Sequence, residues 1–336
     1  MIQVGVIGLG MMGSTHLDVY AKRNDVRIAA ISDIDPKRLS GEEAASGNIE
    51  GQAQGGVDLS AAKRYPEGMQ LIADPNVQLV DLCLWTHRHH EYALAALRAG
   101  KHVLVEKPLC RSYADAKALA AEARKAKTLS MCAMCLRFWP GWVWLKRAIA
   151  EQTYGRVLAV HFHRVANHPG GDFYRDGDAC GGAILDLHIH DTDFVQYCFG
   201  TPQAVFSRGY SRITNQIDHL VTQYLYDDGP LVSAEGGWCM SDGFGFQMRY
   251  IVNFERASAE YSFDGQDHIR LCEPGKQPRQ VELETGMGYQ HEIAYFLDCL
   301  SKNRQPDTIT LEQAAESVRI VEAEKRSIAE GAAVKL

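Results

Sequence analysis

The chain has 336 residues, of which 46% are hydrophobic and 23% are charged. At about 150 residues per domain, this length predicts roughly two domains, and the composition excludes disordered, collagen-like and coiled-coil proteins. The formal net charge of -7 has the wrong sign for a protein that neutralises phosphates, so nucleic acid and anionic membrane surfaces are excluded as partners.

The N-terminal residues MIQVGVIGLG enter an apolar run at once, without the basic segment or cleavage site of a secretory signal, so no signal is expected. No stretch reaches the roughly 18 uninterrupted apolar residues that a membrane helix needs. The nine cysteines are an odd number, scattered through apolar segments of a chain too large to need disulfides. Reduced thiols and a cytoplasmic location are therefore predicted.

The first third of the chain alternates short apolar runs with amphipathic segments. The predicted strands cover residues 4–7, 26–32, 79–84, 102–106 and 129–135, and the predicted helices cover 91–99 and 113–127. Ser112 and Asp115 form a capping box at the start of the second helix. This alternation predicts a parallel sheet covered on both faces. Residues 41–62 show no period and are interpreted as a loop-like insertion.

The rest of the chain is dominated by strand patterns joined by turns. The predicted strands cover 156–164, 204–210, 219–226, 231–238, 247–254 and 258–263, and the predicted helices cover 184–198, 290–300 and 311–329. A mostly antiparallel open sheet with helices is expected. The composition changes near 128–150, which predicts a first domain at 1–128 and a second at 129–336.

Gly8, Gly10 and Gly13 form a G-x-G-x-x-G pattern between a predicted strand and a predicted helix. The first glycine permits a tight turn, the second lets the backbone approach a pyrophosphate, and the third lets helix and strand pack closely. The phosphates would then lie at the helix N-terminus. This context predicts a dinucleotide-binding domain.

Asp33 lies 20 residues after Gly13, at the end of the next predicted strand. A carboxylate there accepts hydrogen bonds from the ribose hydroxyls and repels a 2′-phosphate, which favours NAD over NADP. Two alternatives stay open: Asp33 only starts the turn Asp33-Ile34-Asp35-Pro36, and Arg38 leaves room for NADP.

Lys107 follows a predicted strand within Glu106-Lys107-Pro108. In an open α/β sheet, ligands bind beyond the carboxyl ends of the strands, where an ammonium can orient a hydroxyl and stabilise charge on oxygen. The alternative is an ordinary surface lysine.

Asp186 and His190 are spaced i and i+4 in the predicted helix 184–198, with Asp193 continuing the same stripe. An imidazole beside a carboxylate is suited to act as a general base for an alcohol proton. The alternative is a histidine that only packs in a helix.

Several other patterns are interpreted as structural or as hydrogen-bonding groups rather than metal ligands. Cys132-x-x-Cys135 lies in an apolar run and predicts core packing. His161-x-His163 and the histidine-rich 86–90 segment are placed at strand ends near a crevice, and no metal is predicted. Four aromatic residues suit helix packing better than a sugar-binding wall; they are Phe138, Trp139, Trp142 and Trp144.

Taken together, these motifs resemble the Gfo/Idh/MocA oxidoreductases, the family of glucose–fructose oxidoreductase and inositol dehydrogenase, over essentially the whole chain. The motifs that carry the resemblance are Gly8–Gly13, His90, 99–103, Glu106-Lys107-Pro108-Leu109, Arg137-Phe138-Trp139-Pro140, Gly181-Gly182, Asp186 and His190-Asp191. The resemblance implies a Rossmann domain, an α+β domain with an open antiparallel sheet, and a homodimer or homotetramer formed through that sheet.

The resemblance also implies an NAD(P)-dependent dehydrogenase acting on a secondary alcohol of a sugar or cyclitol, with a cis bond before Pro108. The implied catalytic residues are Lys107, Asp186 and His190. The implied cofactor-binding residues are Gly8, Gly10, Met11, Met12, Gly13, Asp33, Ile34, Arg38, Leu84, Trp85, Thr86, His87, His90, Glu106 and Lys107. The implied substrate-binding residues are Lys107, Arg137, His163, Asn167, His168, Tyr174, Arg175, Asp186 and His190.

Two departures and two alternatives accompany this hypothesis. Relatives commonly carry Thr-Pro where Trp85-Thr86-His87 stands here, so the nicotinamide is expected to pack differently, and the 41–62 insertion is expected over the adenosine end. Some relatives are NAD-retaining glycoside hydrolases, and others are non-catalytic NAD or sugar sensors. Retention of Lys107, Asp186 and His190 argues against a sensor.

Overall fold

The computed structural model describes residues 1–42, 56–263 and 266–336. Most of the 41–62 insertion that the sequence predicts lies outside the described residues. The described chain divides into two compact units, one of residues 1–42, 56–134 and 289–315, and the other of residues 135–263, 266–288 and 316–336. None of the described helices combines the length and apolar character that crossing a membrane requires.

The first unit contains a six-stranded parallel sheet in the order β3-β2-β1-β4-β5-β6. Its strands are β1 (Ile2–Ile7), β2 (Val26–Ser32), β3 (Lys63–Tyr65), β4 (Leu79–Leu82), β5 (His102–Glu106) and β6 (Ser130–Ala133). Its helices are α1 (Met11–Ala21), α2 (Pro36–Ser40), α3 (Gly68–Ala73), α4 (His89–Arg98) and α5 (Tyr113–Ala123), with a 3₁₀ turn at Thr86–Arg88. The predicted Rossmann-type parallel sheet is confirmed.

Local sequence explains where α5 begins. The Ser112 hydroxyl accepts the Asp115 backbone N–H at 3.1 Å and donates to the Asp115 carboxylate at 2.8 Å. These bonds satisfy one of the free N–H groups of the first turn, as the capping box predicts.

The second unit contains a nine-stranded sheet in the order β14-β13-β12-β11-β7-β10-β9-β8-β15. Its helices are α6 (Pro140–Ala150), α7 (Gly171–Arg175), α8 (Gly177–Cys180), α9 (Gly182–Asp186) and α10 (Ile189–Phe199). Its strands include β7 (Val157–Asn167), β8 (Ala204–Tyr210), β9 (His219–Leu225), β10 (Leu231–Met240), β11 (Phe246–Phe254), β12 (Ser258–Phe263), β13 (Asp267–Cys272) and β14 (Arg279–Gln280). The β7 and β10 strands are parallel and the other pairs are antiparallel, which confirms a mostly antiparallel sheet.

Three elements complete the chain: α11 (Gly288–Ser301), α12 (Leu311–Glu330) and β15 (Val334–Lys335). The contact-based units differ from the predicted 1–128 and 129–336 domains in two segments. Residues 129–134 belong to the first unit because β6 pairs with β5 there, and residues 289–315 return to it late in the chain. Residues 289–315 join the first unit through long-range packing, which cannot be inferred from the composition along the chain.

The core of the second unit lies between the inner face of the sheet and helices α6 and α10. Trp142 is fully buried, with its ring centroid 5.4 Å from that of Phe162 and 4.8 Å from that of Phe194. Such aromatic pairs contribute about 0.5–1.5 kcal/mol each beyond the area they bury. Trp142 therefore packs in the core, in agreement with the packing interpretation of the aromatic segment.

Candidate active site

The two units each hold part of the predicted set of site residues. In the first unit, the glycine turn joins β1 to α1. Gly8 has a φ of +93°, and a Cβ there would lie 2.4 Å from the Cys83 carbonyl oxygen. At Gly13, a Cβ would lie 1.8 Å from the Gly8 carbonyl oxygen. Both positions therefore require glycine, for the turn and for close helix packing.

Gly10 differs from its two neighbours because the space in front of it is open. Of the residues that the structure describes, a Cβ at Gly10 would find only the Arg38 guanidinium, with Nη1 4.0 Å away. Gly10 is also the N-cap of α1, and no side chain caps that helix end. Among the described residues, open space beside a helix N-terminus suits a pyrophosphate, so these residues fit a dinucleotide.

The Asp33 carboxylate is bound to this turn. Its Oδ2 accepts the Leu9 backbone N–H at 2.7 Å, and its Oδ1 accepts the Asp35 backbone N–H at 2.8 Å. Asp33 therefore forms the turn that the alternative interpretation expects. It also stands beside the glycine turn, and each carboxylate oxygen keeps a lone pair that can accept a ribose hydroxyl.

Lys107 follows β5, and its peptide bond to Pro108 is cis, as the resemblance implies. Its backbone N–H donates to the Glu106 carboxylate at 2.9 Å. The segment after β4 contains Trp85 and His87, both exposed, around the buried Thr86. Strands β4 and β5 are adjacent and parallel, so both segments lie at the same edge of the sheet.

His89 is a residue of this edge that the sequence prediction missed. Its Nδ1 contacts the Pro108 carbonyl oxygen at 2.8 Å and its Nε2 contacts the Leu84 carbonyl oxygen at 2.9 Å. Burial lowers the pKa of His89, although these two contacts act in the opposite direction. The imidazole thus ties the segment after β4 to the segment after β5. Only the pairing of β4 with β5 reveals this role.

A buried polar network lies behind Glu106. His16 Nδ1 contacts Asp81 Oδ2 at 2.8 Å, and His16 Nε2 lies 3.3 Å from Glu106 Oε1. Burial alone would lower the pKa of His16, but the charge of Asp81 and its hydrogen bond outweigh burial and hold the pKa well above the usual value. The raised pKa favours the imidazolium form of His16, which bonds to Asp81 and lies beside Glu106, the carboxylate that binds the Lys107 backbone.

Glu292 of α11 reaches the same network. Its side chain is fully buried, and neither carboxyl oxygen has a hydrogen-bond partner within the part of the chain that the structure describes. Burial, followed by the charge of Glu106, raises the pKa of Glu292 well above its ordinary value. The sequence offered no signal for Glu292, because it lies 186 residues from Glu106 along the chain.

In the second unit, the predicted continuous helix over 184–198 is wrong. The chain forms two helices, α9 ending at Asp186 and α10 beginning at Ile189. The Leu187 and His188 N–H groups both bond to the Ala183 carbonyl, at 2.9 and 2.8 Å, which closes the first helix. Asp186 and His190 therefore flank a break instead of stacking on one helix face. Asp186 is buried, while His190 is partly exposed and contacts Cys135 Sγ through Nδ1 at 4.0 Å.

The two aspartates that follow His190 form buried ion pairs. Asp191 binds Arg164 at 2.7 Å, and Asp193 binds the Arg137 guanidinium through two bonds of 2.8 Å. Arg137 was predicted to bind substrate, and it is 3% exposed. The ion pair with Asp193 gives Arg137 a structural role, and its assignment to substrate stays a prediction.

The structure brings three of the predicted substrate residues together near the break. His168 Nδ1 accepts the Gly170 N–H at 3.1 Å, so its Nε2 donates to the Tyr174 carbonyl at 3.2 Å. Asn167 adjoins them in sequence and bonds Gly245 at 3.1 Å. Tyr174 and Leu187 pack on the same small core around Trp238. Arg175 is exposed.

His163 does not join this group. The side chains of Val160, Phe162 and Arg164 point to the inner face of the sheet, toward α10, so His161 and His163 point to the opposite, open face. They also lie in the middle of β7, which corrects the prediction that they stand at strand ends near a crevice.

Comparison with known proteins gives matches over most of the chain. The family model described as "Oxidoreductase family, NAD-binding Rossmann fold" matches residues 2–133, and the "GFO/IDH/MocA C-terminal domain" model matches residues 142–260. Inositol 2-dehydrogenase 2 of Saccharopolyspora erythraea is 31% identical over 74% of this chain and 69% of its own length.

Two other curated relatives match over shorter segments. Myo-inositol 2-dehydrogenase of Thermotoga maritima is 32% identical over 64% of this chain, and levoglucosan dehydrogenase of Pseudarthrobacter phenanthrenivorans is 29% identical over 61%. The chain spans 60% and 53% of the lengths of these two relatives. Among solved structures, levoglucosan dehydrogenase in complex with NADH and levoglucosan has a TM-score of 0.87 at 20% identity, over 99% of both chains. That likeness establishes the fold.

Proposed function

This chain belongs to the Gfo/Idh/MocA family of oxidoreductases, and we propose that it is a nicotinamide-dependent dehydrogenase of a secondary alcohol on a cyclic sugar or cyclitol. The observation that carries this proposal is the glycine turn held by the Asp33 carboxylate, with open space in front of Gly10. The relatives named as inositol and levoglucosan dehydrogenases support the substrate class. We assign cofactor binding to residues 1–128 and substrate binding to residues 129–336.

We propose NAD as the cofactor, with NADP second. A bound nicotinamide supplies the hydride acceptor for alcohol oxidation. The Asp33 carboxylate beside the turn would accept ribose hydroxyls and repel a 2′-phosphate, whereas the nearby Arg38 would favour one. The other residues assigned to the cofactor are Met11, Met12, Ile34, Leu84, Trp85, Thr86, His87, His90 and Glu106.

Three side chains carry the proposed chemistry on the substrate. Lys107 binds the reacting hydroxyl oxygen and stabilises negative charge that develops on it. His190 accepts the hydroxyl proton as general base, and Asp186 orients His190 or a neighbouring hydroxyl. Asn167, His168, Tyr174 and Arg175 are assigned to the outer part of the substrate site. A neutral polyol needs hydrogen bonds more than charge, which suits this polar set.

The test is a panel of cyclitols, pyranoses, anhydrosugars and sugar acids incubated with NAD or NADP, read at the NADH absorbance band. We expect NADH to accumulate with at least one cyclitol or cyclic sugar, and to remain at background with the Lys107→Met variant. Reduction of neither cofactor by any member would overturn the proposal. If sugar is released from a glycoside without net formation of NADH, the dehydrogenase proposal is replaced by redox-assisted glycoside hydrolysis.

We also propose that the protein acts in the cytoplasm as a homodimer or homotetramer formed through the nine-stranded sheet. All nine cysteines are free thiols, which suits a reducing compartment.

The open face of the sheet carries exposed apolar side chains, with Leu231 78% and Ile251 56% exposed. Light scattering should give a multiple of 37.3 kDa for the wild type and a smaller mass for the double variant Leu231→Lys/Ile251→Lys.

A further inference from the structure

The open face of the nine-stranded sheet holds a cluster of histidines, of which the dehydrogenase hypothesis uses only His163, as a substrate-binding residue, although His163 lies apart from the other predicted substrate residues. His161 and His163 alternate on β7, and their ring centroids are 6.4 Å apart. The parallel register with β10 places Ser233 beside His161 and Glu235 beside His163. Strand β9 pairs with the other edge of β10 and brings in His219, whose partner in the register is Gly237.

Glu235 lies at the centre of this cluster. Its Oε2 is 3.1 Å from His163 Nδ1, and its Oε1 is 3.1 Å from His219 Nε2. His161 Nδ1 contacts the Ser233 hydroxyl at 2.9 Å. One ligand atom from each of His161, His163 and Glu235 lies within 4.8 Å of the other two.

Neighbouring residues hold His219 in place against Glu235. A Cβ at Gly237 would lie 2.3 Å from His219 Nδ1, so the absence of a side chain there makes room for the imidazole. The Tyr210 ring stacks on the other side, with centroids 5.3 Å apart and planes 8° apart. His219 is thereby oriented toward the carboxylate of Glu235 before any ligand binds.

The donor set has the chemistry of a zinc site. Imidazole nitrogen and carboxylate oxygen both bind Zn²⁺ at about 2.0–2.2 Å, so two ligands of a tetrahedral ion are about 3.4 Å apart. The 3.1 Å contact between His163 and Glu235 is close to that spacing. Glu235 lies 72 residues from His163 in sequence, so the His161-x-His163 pattern by itself does not reveal this carboxylate. The sheet register supplies the missing carboxylate.

We propose that His161, His163 and Glu235 bind a Zn²⁺ ion on the open face of the sheet, and that His219 orients the carboxylate through its second oxygen. On binding, the ion would take the place of the hydrogen between His163 Nδ1 and Glu235, and the ring proton would move to Nε2 of the same imidazole. Arg249 stands opposite His163 on β11 and is a charged neighbour of this cluster, and its side chain is exposed in the single chain.

The test is a Zn²⁺ titration of the full chain, produced without a histidine tag and stripped with a chelator, followed by calorimetry and elemental analysis. We expect about one Zn²⁺ per chain, bound with a single affinity in the calorimetric titration. The single variants His161→Ala, His163→Ala and Glu235→Gln should each weaken binding about 10-fold or more. His219→Phe, which keeps the ring beside Tyr210, should weaken it less.

The matched control is His268→Ala, which removes an exposed histidine from β13 of the same sheet and should leave Zn²⁺ binding unchanged. Circular dichroism on every variant separates lost binding from lost folding, and any one folded ligand variant suffices for the comparison. The proposal is overturned if the wild type binds no Zn²⁺ after stripping, or if all three ligand variants bind it as tightly as the wild type. Neither readout depends on dehydrogenase activity.

Discussion

Asp33 and Leu9 join the second strand of the parallel sheet to the glycine turn, because the Asp33 carboxylate accepts the Leu9 backbone N–H at 2.7 Å. The side chain is 9% exposed, so this bond lies in a largely water-free environment. A carboxylate bonded in this way has a defined direction before any ribose approaches. The same side chain thus shapes the turn and faces the cofactor that we propose for it.

Replacing Asp33 with Ser should weaken NAD binding and relax the preference for NAD over NADP. The variant loses a charged acceptor, whose hydrogen bonds contribute about 1.5–3 kcal/mol each, so the ratio of kcat/KM for the two cofactors should change about 10- to 100-fold. Asp35→Ser is the matched control, because Asp35 caps α2 through the Lys37 N–H at 2.9 Å. Unchanged kinetics with both cofactors would count against the assignment of Asp33.

Lys107→Met and His190→Ala should each lower turnover by about 10²- to 10⁴-fold, the range expected for loss of a positioned acid or base. Cofactor affinity, measured by fluorescence titration, should change little in either variant, because neither loses the glycine turn. Lys125→Met, on an exposed lysine after α5, controls for the loss of one positive charge. Near-normal turnover in both site variants would contradict the proposed roles.

Local patterns in the sequence predicted the parallel sheet well. The predicted strand at 26–32 coincides with β2, and the predicted helix at 113–127 begins at Tyr113 as α5 does. These elements follow from apolar runs, caps and glycines, which act within a few residues. The glycine turn is predictable for the same reason, since its strand, turn and helix are contiguous.

The features that could not be predicted depend on contacts between distant segments. The break between α9 and α10 places the buried His188 against Gly236, where a Cβ would lie 2.6 Å from His188 Nδ1. That packing overrides the helical period on which the stacking of Asp186 and His190 was predicted. Glu292 and Glu235 likewise acquire their partners only through tertiary contacts and sheet register.

Arg137→Met should lower the free energy of unfolding by about 3–5 kcal/mol, because it leaves Asp193 buried without its cation. The double variant Arg137→Met/Asp193→Leu should recover most of that loss, since it removes both charges. Urea unfolding measures the stability, and the KM for the substrate found with the panel measures binding. If the double variant is stable but its KM rises strongly, Arg137 contacts the substrate in addition to forming the ion pair with Asp193.

Glu292→Gln should stabilise the protein, and the gain should grow as the pH rises. The pKa of Glu292 is raised in the folded state, so its stability contribution is present below the unfolded value of about 4.3 and is lost as the pH rises toward the folded value. Glutamine has no proton to lose, so the difference in unfolding free energy should increase by up to about 1.4 kcal/mol per pH unit over that range.

Urea unfolding of both proteins between about pH 5 and about pH 8 measures this difference. Glu284→Gln, on an exposed glutamate, controls for the loss of one carboxylate. A stability difference that stays flat or shrinks with rising pH would show that Glu292 is ionised in the folded protein.

Gly10→Ala and Gly13→Ala should separate cofactor binding from folding. At Gly13 a methyl group would overlap the Gly8 carbonyl oxygen, so this variant should lose stability by several kcal/mol and melt at a lower temperature. At Gly10 a methyl group meets no atom of the described residues closer than 4.0 Å, so the apoprotein should melt like the wild type. The same methyl group would occupy the space that the pyrophosphate needs, so NAD should no longer raise the Tm of Gly10→Ala. Thermal melts with and without NAD measure both effects, and a normal NAD-dependent shift in Gly10→Ala would place the pyrophosphate elsewhere.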